Sequence, residues 1–413
     1  MRIITSGDWH LGSGEQYGHT NPKTGLSSRM EDLLASIDEL VDYAISNDAD
    51  IVVITGDIYR SREPTPTQQR EFASRIVRLT AAGIPVTICP GNHDQAYAVS
   101  RASAVEVFST LAIPGVTILN EVKSYTVMTK SAGPLQLVSI PWVNRSWSMA
   151  QDSRANHVAS LQEHVRDAVV AAVAELDVSV PSIQVGHLSG SWAVPGSEAG
   201  MSLGNDPSFG VDVLAPEGAP FLYSALGHLH SYQVNKSAGF PLVYAGSLFC
   251  LDFGERGQQK GFVDIDIDEK KIKLNSFTFI PVQTRAFIEI EVDAQSSDPT
   301  SEVLAAIGRR RADVAGAVVK VRVQLTVANQ QKLDDTTIQR ALKDAGVHFF
   351  AGCARDVEEQ TRVRLAGVEN IGSLTEMEAL AHYFDSLPTM TPARRAVLLE
   401  HAERLVKADH DAD

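Results

Sequence analysis

The chain has 413 residues with a formal net charge of -15, 44% hydrophobic and 21% charged residues, and a pI near 5.3. That length holds one large core and smaller units beside it. The acidity excludes a protein that coats nucleic acid through a generally basic surface, because such affinity comes from Lys and Arg neutralising phosphates. In chain order, short apolar runs then alternate with helical patterns. Ile3-Ile4, Ile51–Thr55, Pro85–Cys89, Leu135–Ile140, Ser182–Val185 and Phe221–Leu226 read as strands, and Arg29–Ser46, Thr67–Ala82 and Asn156–Leu176 as helices between them. The alternation predicts α/β layers with buried strands. Val243–Ala245, Phe262–Ile267 and Lys273–Phe279 have period-two spacing, which predicts a more antiparallel later part.

Pro281–Arg285 marks a boundary. After it, Phe287–Val292, a helix over Ser301–Arg311, Val318–Leu325 and a helix over Asp335–Asp344 predict a small α+β unit. From Ser373, which forms a capping box with Glu376, Leu374, Met377, Leu380, Ala381 and Phe384 follow helical spacing. Thr391 with Pro392 opens a second helix carrying Val397, Leu398, Leu405 and Val406. Cys89, Cys250 and Cys353 have no CxxC spacing, so neither a zinc knuckle nor a disulfide framework is indicated. MRIITSGDWH lacks the apolar core of a secretory signal and no run has the apolar length of a membrane span, so a cytoplasmic, soluble protein is expected.

Five motifs put metal-type ligands after predicted strands: Asp8-Trp9-His10, Gly56-Asp57, Gly91-Asn92-His93-Asp94, Gly186-His187 and Gly227-His228-Leu229-His230. The carboxyl ends of strands in open α/β sheets converge on one crevice, so residues far apart in sequence can meet there. Asp8, Asp57, Asn92, His10, His187, His228 and His230 offer oxygen and imidazole donors without a thiolate, a mixture that suits manganese, iron or zinc. So many donors fit two ions about 3.5–4 Å apart that share a carboxylate and clamp both oxygens of an in-line phosphoryl displacement. Asp57 is the candidate bridge. Glycine before a ligand lets the backbone bend sharply and bring the side chain close. Trp9 and Cys89 read as packing residues.

The series DWH, GD, GNHD, GH and GHLH resembles the calcineurin-like metallophosphoesterase superfamily and, more closely, the SbcD family of DNA-repair exonucleases. The closer resemblance rests on MRIITSGDWHLG, ALGHLHSYQ and YAGSLFCLDFGERGQQKGF and covers nearly the whole chain. It implies an α/β four-layer sandwich, two mixed β-sheets flanked by helices, with a small α+β capping domain and C-terminal helices. The division expected is a nuclease domain over residues 1–282, a DNA-contacting capping domain over 283–357, and a linker with C-terminal helices over 358–413. One metal is then held by Asp8, His10, Asp57 and His230 and the other by Asp57, Asn92, His187 and His228, as two Mn2+ or with Mg2+ or Fe2+ in their place. His93 is implied as the catalytic acid and Asp94 as the group that orients its ring, since an oriented imidazole has a pKa near the working pH; a loop-capping Asp94 is the competing reading.

Some relatives have His where this chain has Arg60, three positions after Asp57. Arg60 and Arg62 are read as DNA contacts, with solvated loop charges as the alternative; Arg stabilises phosphate charge but is no neutral base. On VVKVRVQL, Lys320 and Arg322 face away from Val319, Val321 and Val323, and with Arg309, Arg310 and Arg311 nearby they make a candidate DNA-binding strip. No GxxxxGK[ST] stretch occurs. The resemblance implies an SbcC-type coiled-coil ATPase partner docked by the C-terminal helices, and a homodimer. The function implied is a manganese-dependent nuclease within an SbcCD-like ATP-dependent repair and recombination complex: a 3′ to 5′ exonuclease on duplex DNA and an endonuclease on single strands and hairpins. Two alternatives stay open. One is a metallophosphatase or cyclic-nucleotide phosphodiesterase on the same fold, although protein phosphatases show GDxxDRG and GNHE where this chain has GDIYRSR and GNHD. The other is a DNA-end-bridging scaffold.

Overall fold

The run Ile51–Ile54 has no polar position because both faces of its strand are covered. Val52 and Ile54 pack with Leu33, Ile37 and Phe72 of the helices Ser28–Ser46 and Pro66–Ala81. Ile51 and Val53 pack with Ile183, Val185 and Tyr223 of a second sheet, and full burial of each such side chain contributes about 1.5–3 kcal/mol. On the far face of that sheet, Ile140, Leu226 and Leu242 meet Leu161, Val165 and Val169 of the helix Arg154–Ala174. The result is a four-layer α/β sandwich. In this computed structural model the described residues are 1–95, 102–143, 154–196, 207–357, 376–385 and 391–410.

The first sheet runs Lys273–Pro281, Gly261–Asp268, Arg2–Ser6, Ile51–Ile54, Val86–Ile88, Val116–Ile118. Its last four strands are parallel and the first two antiparallel. The second runs Gln233–Asn235, Leu242–Tyr244, Ser224–Gly227, Ser182–His187, Pro134–Ile140, Ser124–Met128, parallel in the middle with an antiparallel strand at each edge. Both sheets are therefore mixed. Two sequence expectations change. The strand at Val243 is parallel to its neighbour at Ser224, because the turn through His228 and the edge strand Gln233–Asn235 carry the chain across before it re-enters. Val116–Ile118, Ser124–Met128 and Gln233–Asn235 are strands that the sequence pattern did not reveal: all are edge strands of three to five residues, too brief for periodicity to show.

Beyond Arg285 the chain builds a third sheet from Phe287–Ala294, Val318–Leu325 and Phe349–Val357, paired in that order. All three strands are parallel, so the unit is a βαβαβ layer and not the antiparallel arrangement that α+β implies. The helices Pro299–Arg309 and Asp335–Asp344 are its crossovers, and a crossover is what parallel strands require. Phe349–Val357 shows no sequence pattern because it is half-buried over Phe349–Ala354, exposed at Arg355 and Asp356, and broken by Gly352 at φ 115°, where the register shifts. Val319, Val321 and Val323 face the crossover helices as expected. Arg285 chelates the Asp32 carboxylate with Nε and Nη2, both at 2.6 Å, where the unit joins the sandwich. Tyr17, Cys250, Phe253, Phe287, Val318 and Phe349 form the apolar contact between them.

Helices Glu376–Asp385 and Pro392–His410 touch one another, and Met377, Leu380, Ala381 and Phe384 are half-buried on the first. The expected capping box at Ser373 lies outside the described residues. No helix among the described residues is long and apolar enough to cross a membrane.

Candidate metal centre

Each ligand motif follows a strand of the two central sheets, and the loops lock onto one another. Asp8 N–H donates to Gly56 O at 2.9 Å and His10 N–H to Asp57 O at 2.9 Å. His228 N–H donates to Asp8 Oδ1 at 2.9 Å. Asp8, His10, Asp57 and His228 all have left-handed backbones, with φ of 52°, 42°, 50° and 102°. Such conformations cost roughly 1–3 kcal/mol each and persist where surrounding structure over-determines them, which concentrates them at functional sites. The glycines make the approach feasible. A Cβ on Gly91 would stand 2.2 Å from Asp57 Oδ1 and 2.7 Å from His187 Cε1. Gly91 thus answers for its place beside Asn92 and His93: the GNHD loop and the Asp57 loop cross with no room for a methyl group.

All seven expected ligands come together. Asp57 Oδ2 lies 3.5 Å from His10 Nε2 and 3.5 Å from His187 Nε2, so it stands between two groups of donors. On one side, Asp8, His10 and His230 present donor atoms within 4.8 Å of one another, with His10 Nε2 and His230 Nε2 3.1 Å apart. On the other, Asn92 Oδ1 is 3.1 Å from both His187 Nε2 and His228 Nδ1. Ligands sharing an ion at about 2.0–2.2 Å are spaced in this way. Asp8, His10, Asp57, His187 and His230 are buried; Asn92, His93 and His228 are half-buried on the open side.

The charges fit a cation. His187 Nδ1 is 2.7 Å from the Thr55 carbonyl, which only accepts, so Nδ1 carries a hydrogen. Its Nε2 then faces two oxygens, Asn92 Oδ1 and Asp57 Oδ2. Only a positive centre, a proton or a metal ion, makes that contact favourable. Burial works against a charged His187, but the Asp57 carboxylate pushes its pKa up to about 9, while Asp57, also opposed by burial, is held well below its usual range by His187 and His10. Burial raises Asp8 to about 7 and lowers His10 and, to about 3, His228, leaving those imidazoles neutral as ligands must be. Metal binding therefore displaces protons from His187 and Asp8. Apparent Mn2+ affinity should rise about tenfold per pH unit from pH 7 to 9 as His187 gives up its proton, and more steeply below pH 7, where Asp8 adds a second. Calorimetry in two buffers of different ionisation heat measures that release, and an affinity flat across this window contradicts it.

His93 leans out of the cluster. Its N–H donates to Asp57 Oδ1 at 2.8 Å, its Nδ1 is 2.7 Å from the Arg60 carbonyl, and its Nε2 is 4.0 Å from Asp57 Oδ2. Asp94 does not touch that ring. Its carboxylate accepts from Ile58 N at 3.0 Å and Gly91 N at 3.0 Å, so it staples the two ligand loops, the capping role in place of the orienting one, and a backbone carbonyl orients His93 instead. Arg60 and Arg62 line a cavity of about 680 Å³ with Ser61, Thr65, Gln68 and His93. Lys320 and Arg322 lie apart from the cavity and both pair with Glu289, at 3.5 and 3.0 Å; Arg322 also meets Asp356 at 3.1 Å.

Three neighbours were missed from sequence. Trp142 packs its ring 5.0 Å from that of His228. Glu255 holds His230, with Oε1 2.7 Å from Nδ1, and Lys260 pairs with Glu255 at 2.9 Å. The available signal was the segment YAGSLFCLDFGERGQQKGF, which carries both Glu255 and Lys260. Trp9 and Cys89 are fully buried as expected, Trp9 edge-on to Phe72.

A four-layer α/β sandwich whose two sheets bring paired donor clusters around a shared carboxylate fits a dimetal phosphoesterase site. The calcineurin-like phosphoesterase family matches residues 1–232, and the chain belongs to that family. Among solved structures it is similar to a dimetal phosphatase from Danio rerio (12% identity, 64% of this chain and 92% of that one, TM-score 0.39). It is also similar to a phosphopantetheinyl hydrolase from Mycobacterium tuberculosis (15% identity, 60% and 89%, TM-score 0.31).

Proposed function

We propose that this phosphoesterase is a DNA nuclease of the SbcD type, a 3′ to 5′ exonuclease on duplex ends and an endonuclease on single strands and hairpins. The observation that carries the reading is the cavity of about 680 Å³ beside His93. It offers far more room than a phosphate group needs, within the range that holds organic ligands, and its Arg60 and Arg62 suit a phosphate backbone. Two divalent ions, Mn2+ in this reading, would when bound clamp the attacking and leaving oxygens of the phosphodiester. Asp8, His10, Asp57 and His230 would hold one, and Asp57, Asn92, His187 and His228 the other. His93, with Nδ1 fixed on the Arg60 carbonyl, protonates the departing oxygen from Nε2.

The same reading makes the protein the nuclease subunit of an SbcCD-like repair and recombination complex, a homodimer whose two C-terminal helices dock on an SbcC-type coiled-coil ATPase. Half-buried Met377, Leu380 and Phe384 beside exposed Tyr383 support that use. A second reading, a phosphatase or cyclic-nucleotide phosphodiesterase, is favoured by the pairing of Lys320 and Arg322 with Glu289 and of Arg322 with Asp356, which leaves those two cations balanced by two carboxylates. Purified protein with Mn2+, offered blunt duplex, hairpin DNA and a phosphate-ester dye, with and without the ATPase, separates the two. DNA cleavage that Arg60→Ala weakens through KM, with dye turnover intact, is the expected result. Dye hydrolysis without DNA cleavage selects the second reading.

A further inference from the structure

One short loop touches both the metal centre and the C-terminal three-stranded unit. Glu255, at 1% exposure, receives the Nδ1 hydrogen of His230 at 2.7 Å on Oε1. Its Oε2 receives Leu251 N–H and the Lys260 ammonium, each at 2.9 Å. Lys260, itself buried, donates in turn to the His230 carbonyl at 2.9 Å and to Ser247 Oγ at 2.8 Å. A single buried ion pair therefore grips His230 by ring and backbone together. An ionised carboxylate only accepts, so the hydrogen sits on Nδ1 and Nε2 presents its lone pair toward Asp8 and His10; hydrogen bonds of this kind fix the tautomer and raise the basicity of a metal-binding imidazole.

The next residue faces the other way. Arg256 pairs with Glu289 at 3.2 Å on the strand Phe287–Ala294, and Phe253 packs edge-on to Phe287 with centroids 5.0 Å apart. Lys320 of the middle strand lies over the Phe253 ring at 5.8 Å. The segment Phe253–Arg256 is thus held between His230 and the three-stranded sheet.

We infer that Glu255 is a positioning residue for the ion held by Asp8, His10 and His230, and that the loop Phe253–Arg256 makes the hold on that ion depend on how the C-terminal unit is seated. The inference rests on the two-ion centre and not on the identity of the phosphoester. It assigns the two ions unequal behaviour: the one on the His230 side answers to the C-terminal unit, and the one on the Asn92 side does not.

Calorimetric titration of the full chain with Mn2+ alone tests this. Because Glu255→Ala strands a buried lysine, the variant of choice is Glu255→Leu with Lys260→Met, which removes both charges together, checked for folding by thermal unfolding without metal. The expected result is a loss of roughly 10–100-fold in affinity for one ion with the other unchanged. Glu289→Ala, which removes the nearer carboxylate partner of Arg256 and leaves Glu291 at 4.0 Å, changes no ligand and should weaken the same ion by about fivefold or more. Parent affinities for both ions in the folded double variant overturn the positioning role, as does an equal loss of both. Glu289→Ala indistinguishable from parent overturns the link to the C-terminal unit. A parent protein that takes up fewer than two ions overturns the two-ion centre itself.

Discussion

Asp57→Asn is expected to reduce Mn2+ uptake from two ions to one or none and to lower phosphoester hydrolysis by on the order of 1,000-fold or more, since a metal clamp contributes several kcal/mol to the transition state. The reason is geometric. Asp57 Oδ2 is within 3.5 Å of imidazole nitrogens from both donor groups, and its Oδ1 is held by the His93 N–H at 2.8 Å. An amide keeps the shape of that side chain but removes the charge two cations share, and its NH2 turns a donor toward His10 or His187. The buried site then loses the counter-charge that supports His187. Calorimetry with Mn2+ together with turnover of DNA and dye checks both parts. Two ions bound at parent affinity would remove Asp57 from the bridge.

His93→Ala is expected to lower strand cleavage by about 100- to 10,000-fold, the range for loss of a general acid, with Mn2+ stoichiometry and affinity unchanged. The two roles of this residue sit on different atoms. Its backbone N–H supports Asp57 and survives the substitution, whereas the half-buried ring reaches the cavity with its Nε2 4.0 Å from Asp57 Oδ2. That Nε2 also lies within ligand distance of His10 and Asp57, so the metal titration discriminates: a lost ion makes His93 a ligand, and a retained ion with cleavage lost makes it the acid. Substrates with a good leaving group, such as a nitrophenyl ester, should be cleaved by the variant far better than DNA, because they need no proton. Unimpaired DNA cleavage would end the assignment.

The ligand set was legible because its chemistry is local to each motif. Asp, His and Asn preceded by glycine at the ends of apolar runs are visible residue by residue, and a parallel sheet supplies the rule that gathers strand ends. The layered fold was legible for the same reason: Ile51–Ile54 is apolar at every position and Leu135–Ile140 at all but Gln136 and Ser139, the pattern of a strand covered on both faces. What escaped was decided between segments. Asp94 differs from an orienting carboxylate only in where the amides of Ile58 and Gly91 lie. Lys320 and Arg322 alternate outward just as a basic strip would, yet Glu289 of the neighbouring strand claims both. The parallel third strand carries Gly352 and Arg355 and has no periodicity to betray it.

By itself, then, the sequence determined the class of core, the strand ends and the donors, since hydrophobic period and ligand chemistry are properties of short stretches. Only the tertiary structure decided which oxygen is shared, which carbonyl holds His93, and that Glu255 and Lys260 stand behind His230. Those are contacts between residues 25 to 220 positions apart, fixed by strand order and loop crossing, which no single stretch of chain encodes.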